Sequence, residues 1–203
     1  MKIMHNAGIE RGARGEAHKR RIAGLESLDI GNIRDATVIV DIDGTMTADR
    51  QLDCSVPVLA VIRSLASQNA VYLCSNHRDS VRNRAIARRA GLTCIETRHR
   101  KPSKKVLESL PSQRRARQLI VIGDKSTVDG VFAWRVGARF IRVARIVSPE
   151  DRLVAKVSYF LDDLVSRIWD CARASRARLP FLLPTAITPN GEAGSLLDQS
   201  RRL

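Results

Sequence analysis

VIVDIDGT, residues 38–45, is an apolar run that ends in two aspartates one residue apart, followed by Gly-Thr. With Thr37 in front, TVIVDI (37–42) has the length and β-branched content of a buried strand. Side chains two apart on a strand point the same way. Asp41 and Asp43 are therefore expected to bring two like charges to one spot at the strand's end. Neighbouring carboxylates resist joint ionisation unless a cation lies between them. Two such residues closing a strand that must be buried imply a site.

Working outward, apolar runs of strand length alternate with helical patterns. Strands are predicted at 37–42, 70–75, 92–96, 118–123 and 139–144. Helices are predicted at 55–68 behind a Ser55 cap, at 79–90 before Gly91, at 103–110 before Pro111, and at 126–136 before Gly137. This alternation predicts an α/β fold: a Rossmann-like parallel sheet of about five strands with helices on both faces. Ligands of such sheets bind beyond the carboxyl ends of the strands, at the switch point. From Leu153 to Trp169, apolar residues recur at helical spacing. They predict an amphipathic helix over 150–172 whose apolar face packs on the sheet domain. The expected domains are a basic, flexible arm over 1–34 with a short helix near 16–28, the sheet domain over 35–172, and a tail over 173–203.

The 203 residues carry no apolar run near the roughly 20 that a membrane helix needs. No apolar signal core follows the N-terminus, so a secretory signal is not expected, while the basic residues between Arg11 and Arg21 leave a mitochondrial transit peptide open. Cys54, Cys74, Cys94 and Cys171 form no C-x-x-C pair and are expected to be reduced thiols of a cytoplasmic protein. The net charge of +14 points to an anionic partner. Much of it lies in residues 78–117, where 13 Lys and Arg face 3 Asp and Glu. Arg82, Arg84, Arg88 and Arg89 of that stretch are expected to form a surface for anions.

The predicted strand ends collect a set of residues that matters more together than singly. The first strand delivers Asp41 and Asp43, the second Ser75 and Asn76, the segment after the third Lys101, and the fourth GDKSTVD (123–129) with Asp124 and Asp129. Carboxylates can hold Mg²⁺, which prefers one or two of them plus phosphate oxygens. An aspartate can act as nucleophile. A hydroxyl and a lysine can neutralise the oxygens of a transferred phosphoryl group. The set has the parts for metal-assisted phosphoryl transfer.

In these residues the chain resembles the haloacid dehalogenase-like phosphohydrolases. DIDGT (41–45) is similar to their first motif, Ser75 to the second, Lys101 to the third and GDKSTVD to the fourth. The resemblance spans roughly residues 35–170. It is nearest subfamily IIIA and the branch related to mitochondrial and plastid phosphatidylglycerophosphate phosphatases, on SN (75–76), KP (101–102) and the long helix over 150–172. That branch usually has Gly-Asp-Gln-x-x-Thr-Asp, where this chain has Lys125 and Val128. The resemblance implies roles by position. Asp41 is the nucleophile, and Asp43 is general acid and then base. Thr45 supports the turn. Ser75, Asn76 and Lys101 bind substrate. Asp41, Asp43 (through its carbonyl), Asp124 and Asp129 surround Mg²⁺.

The segments between Asp43 and Ser75, and between Ser75 and Lys101, are too short to hold a cap domain. An uncapped site suits a bulky substrate, a membrane surface or a neighbouring subunit. The expected function is therefore a Mg²⁺-dependent phosphomonoesterase, with a lipid phosphate such as phosphatidylglycerophosphate as substrate and an anionic membrane surface as partner. Nucleic-acid ends or a soluble metabolite are the alternative substrates, although 4% aromatics leave few stacking platforms for bases. A non-catalytic basic binding module is a further alternative.

Overall fold

The computed structural model describes residues 22–110 and 118–177. Five strands form one all-parallel sheet: β1 (Ala36–Val40), β2 (Ala70–Leu73), β3 (Thr93–Cys94), β4 (Gln118–Gly123) and β5 (Arg139–Arg142). Their order is β3-β2-β1-β4-β5. The chain steps from β1 outward to β3, then returns to the other side of β1 for β4. The switch point thus lies between the ends of β1 and β4. The predicted α/β, Rossmann-like architecture is present.

Alternation along the strands divides the core in two. Val38, Val40, Leu73, Ile120 and Ile122 face one side. There they meet Val58, Ile62 and Leu65 of α1 (Val56–Ala66) and Ile86, Ala87 and Ala90 of α2 (Ser80–Ala90). Ile39, Val121 and Phe140 face the other side. They meet Val106 of a 3₁₀ helix (Lys104–Ser109) and Phe132 and Ala133 of α3 (Val131–Val136). The caps read from the sequence are in place. The Ser55 side chain accepts from Val58 N, that of Asp79 accepts from Arg82 N, and Gly91 ends α2 in the left-handed region that favours glycine. No further domain is inserted between β1 and β3.

Five expectations need correction. Residues 22–34 do not form a flexible arm: Leu25, Leu28 and Ile33 are buried in the first core, and Ile22 pairs with Val143 beside β5. An apolar residue every few positions outweighs the glycines there. The expected helix over 126–136 is one π turn (Ser126–Gly130) leading into α3, and that over 103–110 is 3₁₀. The final helix, α4 (Leu153–Ala177), runs five residues past its expected end and into the expected tail. Its orientation is the largest difference. Asp162, Ser166 and Tyr159 face the body of the protein, while Leu153, Val157, Phe160, Leu161, Leu164 and Ile168 are exposed. Residues 1–21 and 178–203, with the rest of the arm and tail, lie outside the described residues. No helix among the described residues is long and apolar enough to cross a membrane.

Candidate active site

β1 ends at Val40, where the Asp41 amide still donates to the Ile122 carbonyl of β4. Beyond it the chain turns at once. Gly44, at φ 86°, sits in a tight turn that closes with a 2.7 Å bond from its amide to the Thr47 carbonyl. A side chain at 44 would also come within 2.8 Å of an Asp124 carboxylate oxygen. Glycine is needed here both for the backbone angle and for the close approach. Gly123 plays a similar part at the end of β4, where a Cβ would strike the Asp129 carboxyl group at 2.4 Å. Two glycines thus let the loops after β1 and β4 press their carboxylates together at the switch point.

Asp41, Asp124 and Asp129 are all buried, and each offers a carboxylate oxygen within 4.8 Å of the other two. Lys101 enters from the segment after β3 and bridges two of them, donating to Asp41 Oδ1 at 2.5 Å and Asp129 Oδ1 at 2.7 Å. Arg145, just past β5, donates to Asp124 Oδ2 at 2.5 Å. Three carboxylates therefore face two paired cations. The imbalance is visible in their ionisation. Burial is the largest cause pushing Asp41 up to about 6, against the pull of Lys101 and with the repulsion of Asp129. Burial also raises Asp124 and Asp129, helped by their charged neighbours Asp41 and Asp124 respectively.

A small divalent cation fits this set. Asp124 Oδ1 is buried with no hydrogen-bond partner, a costly state for a carboxylate oxygen unless something else binds it. Mg²⁺ binds oxygens at about 2.0–2.1 Å, so oxygens on opposite sides of one ion are about 4 Å apart. The spacing of the three carboxylates matches that span.

Asp43 does not join the cluster through its side chain. Because the strand ends before Asp41, the two-residue alternation no longer holds, and the two carboxylates find different partners. Asp43 Oδ1 pairs with the buried Arg82 guanidinium at 2.8 Å, and its Oδ2 accepts from Ser75 Oγ at 2.7 Å. Burial pushes the Asp43 carboxyl group upward, but the Arg82 charge and bonds from Ser75, the Arg50 amide and Arg82 outweigh it and hold the net value below the ordinary one. Two neighbouring aspartates thus have opposite tendencies, Asp41 toward the protonated form and Asp43 toward the charged one.

Asn76, expected to bind substrate, is tied to the segment that carries Lys101. Its side-chain amide donates to the Lys101 carbonyl and accepts from the Lys101 amide, both at 2.8 Å. Both ends of the side chain are used to fix the backbone that carries the lysine, so Asn76 is a positioning residue. Thr45 is fully buried, and its hydroxyl has no partner.

Three residues of the site were not found from the sequence. Arg82 was expected on the anion-binding surface, but it is buried and reaches across to Asp43 and the Gln51 carbonyl. Arg145 binds Asp124. Asp162, from α4, binds the loop after β4, accepting from the Ser126 and Thr127 amides, the Thr127 hydroxyl, Arg142 and Arg145. The Tyr159 ring lies 4.2 Å from the Arg145 guanidinium and 5.4 Å from the Lys125 ammonium. One signal was present: Arg142 and Arg145 interrupt the apolar run RFIRVARIV (139–147), where buried arginines need acidic partners.

Comparison with family models, with curated proteins and with solved structures returned no match.

Proposed function

We propose that the chain is a phosphomonoesterase in which Asp41 takes the phosphoryl group from its substrate and Asp41, Asp124 and Asp129 hold Mg²⁺. The observation that carries this reading is the buried carboxylate cluster, short of positive charge and with one oxygen unbound, at the end of the central strand. The order of motifs that resembles the haloacid dehalogenase-like phosphohydrolases supports it independently of the geometry. Mg²⁺ in this cluster would neutralise the carboxylates and draw charge from phosphoryl oxygens.

The chemistry balances on the residues present. An Asp41 carboxylate oxygen attacks phosphorus, the phosphorus–ester oxygen bond breaks, and the leaving alkoxide takes a proton from Asp43 in its acid form. Water then attacks the phosphorus of the aspartyl phosphate, with Asp43 as carboxylate accepting its proton. The bond to Asp41 breaks, releasing inorganic phosphate. Ser75, whose hydroxyl lies against Asp43, and Lys101, whose ammonium lies against Asp41, are placed to meet the phosphoryl oxygens.

The absence of an inserted domain over the strand ends favours a substrate that brings its own cover. A lipid phosphate such as phosphatidylglycerophosphate is our first choice. Nucleic-acid ends and soluble metabolites share the chemistry, and a substrate panel separates them. The test measures phosphate release from lipid, oligonucleotide, sugar and aryl phosphates, in Mg²⁺ and in EDTA. Asp41→Asn preserves size and removes the nucleophile. We expect a folded protein with release reduced at least about a thousandfold, the scale of a lost catalytic group. Near-normal turnover by Asp41→Asn, or full activity in EDTA, would overturn the proposal.

A further inference from the structure

α4 is amphipathic, but it turns its polar side inward. Asp162 and Ser166 are buried against the body, and Leu153, Val157, Phe160, Leu161, Leu164 and Ile168 are between 45% and 76% exposed. Their spacing keeps them along one side of the helix. Scattered exposed apolar residues are ordinary, whereas a continuous stripe marks a surface that something covers.

Charge narrows what that something is. Of the two acids in this segment, Asp162 is buried against Arg142, Arg145 and the loop after β4, and Asp163, half-exposed, is neutralised by Arg142 at 2.8 Å. The exposed charged residues between Leu153 and Ile168 are Lys156 and Arg167, both basic; just before the helix Glu150 and Arg152 are exposed, the arginine paired with Asp49 at 3.3 Å. Beyond Ile168 the sequence adds one acid, Asp170, and then three bases, Arg173, Arg176 and Arg178, so the continuation is net basic. An apolar stripe edged by basic residues, on a helix not apolar enough to span, is the pattern that lies flat in an anionic bilayer surface. A second copy of the chain would bring the same charges against themselves.

We infer that the exposed side of α4 is a docking surface for an anionic lipid bilayer, with the stripe from Leu153 to Ile168 in the headgroup–acyl boundary. The other side of the same helix holds the loop that carries Asp124 and Asp129, and Tyr159 touches Arg145, which binds Asp124. The candidate metal cluster therefore lies on the far side of α4 from the docked surface, separated from it by more than the helix diameter of about 10 Å. This deepens the lipid-phosphate reading by naming where the protein meets the lipid. The docking itself does not depend on the chemistry at Asp41.

The experiment is flotation of the full-length chain with vesicles of phosphatidylcholine alone or with 30% phosphatidylglycerol (about a third anionic, enough for a strong surface potential). The chain should float with the anionic vesicles, less so as salt rises, and weakly with the neutral ones. The double variant Phe160→Ser/Leu164→Ser changes only exposed side chains. It should keep the wild-type circular dichroism and turnover of a soluble aryl phosphate while losing vesicle binding by about tenfold or more. Equal binding by variant and wild type overturns the inference. So does a wild-type dimer in sedimentation that the variant dissociates without any vesicle binding, which would assign the stripe to a second copy. Vesicle binding lost in the variant, in a protein that releases no phosphate from any substrate, would support the docking surface while rejecting the phosphatase reading.

Discussion

At the residue scale, the informative contrast is between Asp41 and Asp43. They are two positions apart and both shielded from water, yet one is pushed toward its acid form and the other toward its base form. The difference is Arg82, which faces Asp43 alone. A lowered Asp43 suits the second half of the proposed reaction, in which it would accept a proton. In Arg82→Gln the desolvation of Asp43 is no longer opposed by that charge, so its pKa should rise. The acid limb of the pH–rate profile for an aryl phosphate should then move to higher pH, and turnover of alkyl phosphates, which need the Asp43 proton, should improve relative to aryl ones. An unchanged acid limb in folded Arg82→Gln would mean that Arg82 does not set the ionisation of Asp43. The aspartates themselves were legible in the sequence because they close an apolar strand. Their partners were not. Arg82 sits in a helix where basic residues alternate with alanine, and nothing local distinguishes the one that turns inward. Which arginine is buried depends on where α2 lands against the turn after β1, a long-range outcome that local spacing does not encode.

At the element scale, the sheet was readable from runs of apolar residues, because a strand buried on both faces leaves no polar positions. β3 was overestimated, since only Thr93 and Cys94 pair at the sheet's edge. α4 shows a sharper limit. Its period was found correctly, but a periodic apolar face does not say which way it points. The inward side was decided by Asp162, which accepts from two backbone amides and a hydroxyl of the loop after β4 and adds a second carboxylate partner for Arg142 and Arg145. That ties a C-terminal helix to the loop of the candidate metal site. Asp162→Ala should therefore destabilise the chain by about 3–5 kcal/mol, the usual cost of breaking a buried ion pair by removing one partner. It should also weaken Mg²⁺ binding, because the backbone that aims Asp124 and Asp129 loses its anchor. Urea denaturation reads the first effect and calorimetric titration of Mg²⁺ the second. Unchanged Mg²⁺ affinity in a folded Asp162→Ala protein would show that α4 does not position the loop.

At the scale of the whole molecule, the basic charge was plain in the sequence but its use was not. Part of the charge in residues 78–117 is spent inside the protein or on neighbours: Arg82 on Asp43, Lys101 on Asp41 and Asp129, Arg84 on Glu96 and Arg89 on Asp53. The acidic cluster, in contrast, affects the stability of the whole fold. Burial pushes Asp41 up to about 6 in the folded chain, against 3.8 for the group in water. Between these values the folded chain holds a proton that the unfolded chain has released. In EDTA the Asp41 contribution therefore lowers stability as pH rises from about 4 to about 6, and the cost is complete above that range. Asp124 and Asp129 are raised too and act in the same direction. Asp43 is lowered and has the opposite sign: its contribution is fully present above about pH 5 and declines only as pH falls through its unfolded value of 3.8 toward the lower folded one. On the proposed reading Mg²⁺ would reverse the penalty, since it would bind the deprotonated carboxylates of the folded chain alone. At a concentration near 100 times its dissociation constant it should add about 2.7 kcal/mol, which for a chain of this size is about 5–10 °C in melting temperature. The difference between melting curves in Mg²⁺ and in EDTA should be of that order at pH 7.5 and clearly smaller at pH 4.5, where Asp41 holds a proton. Asp124→Asn should abolish the difference at both pH values. A Mg²⁺ shift of the same size at pH 4.5 and 7.5, or one that survives Asp124→Asn, would place the ion somewhere other than these carboxylates.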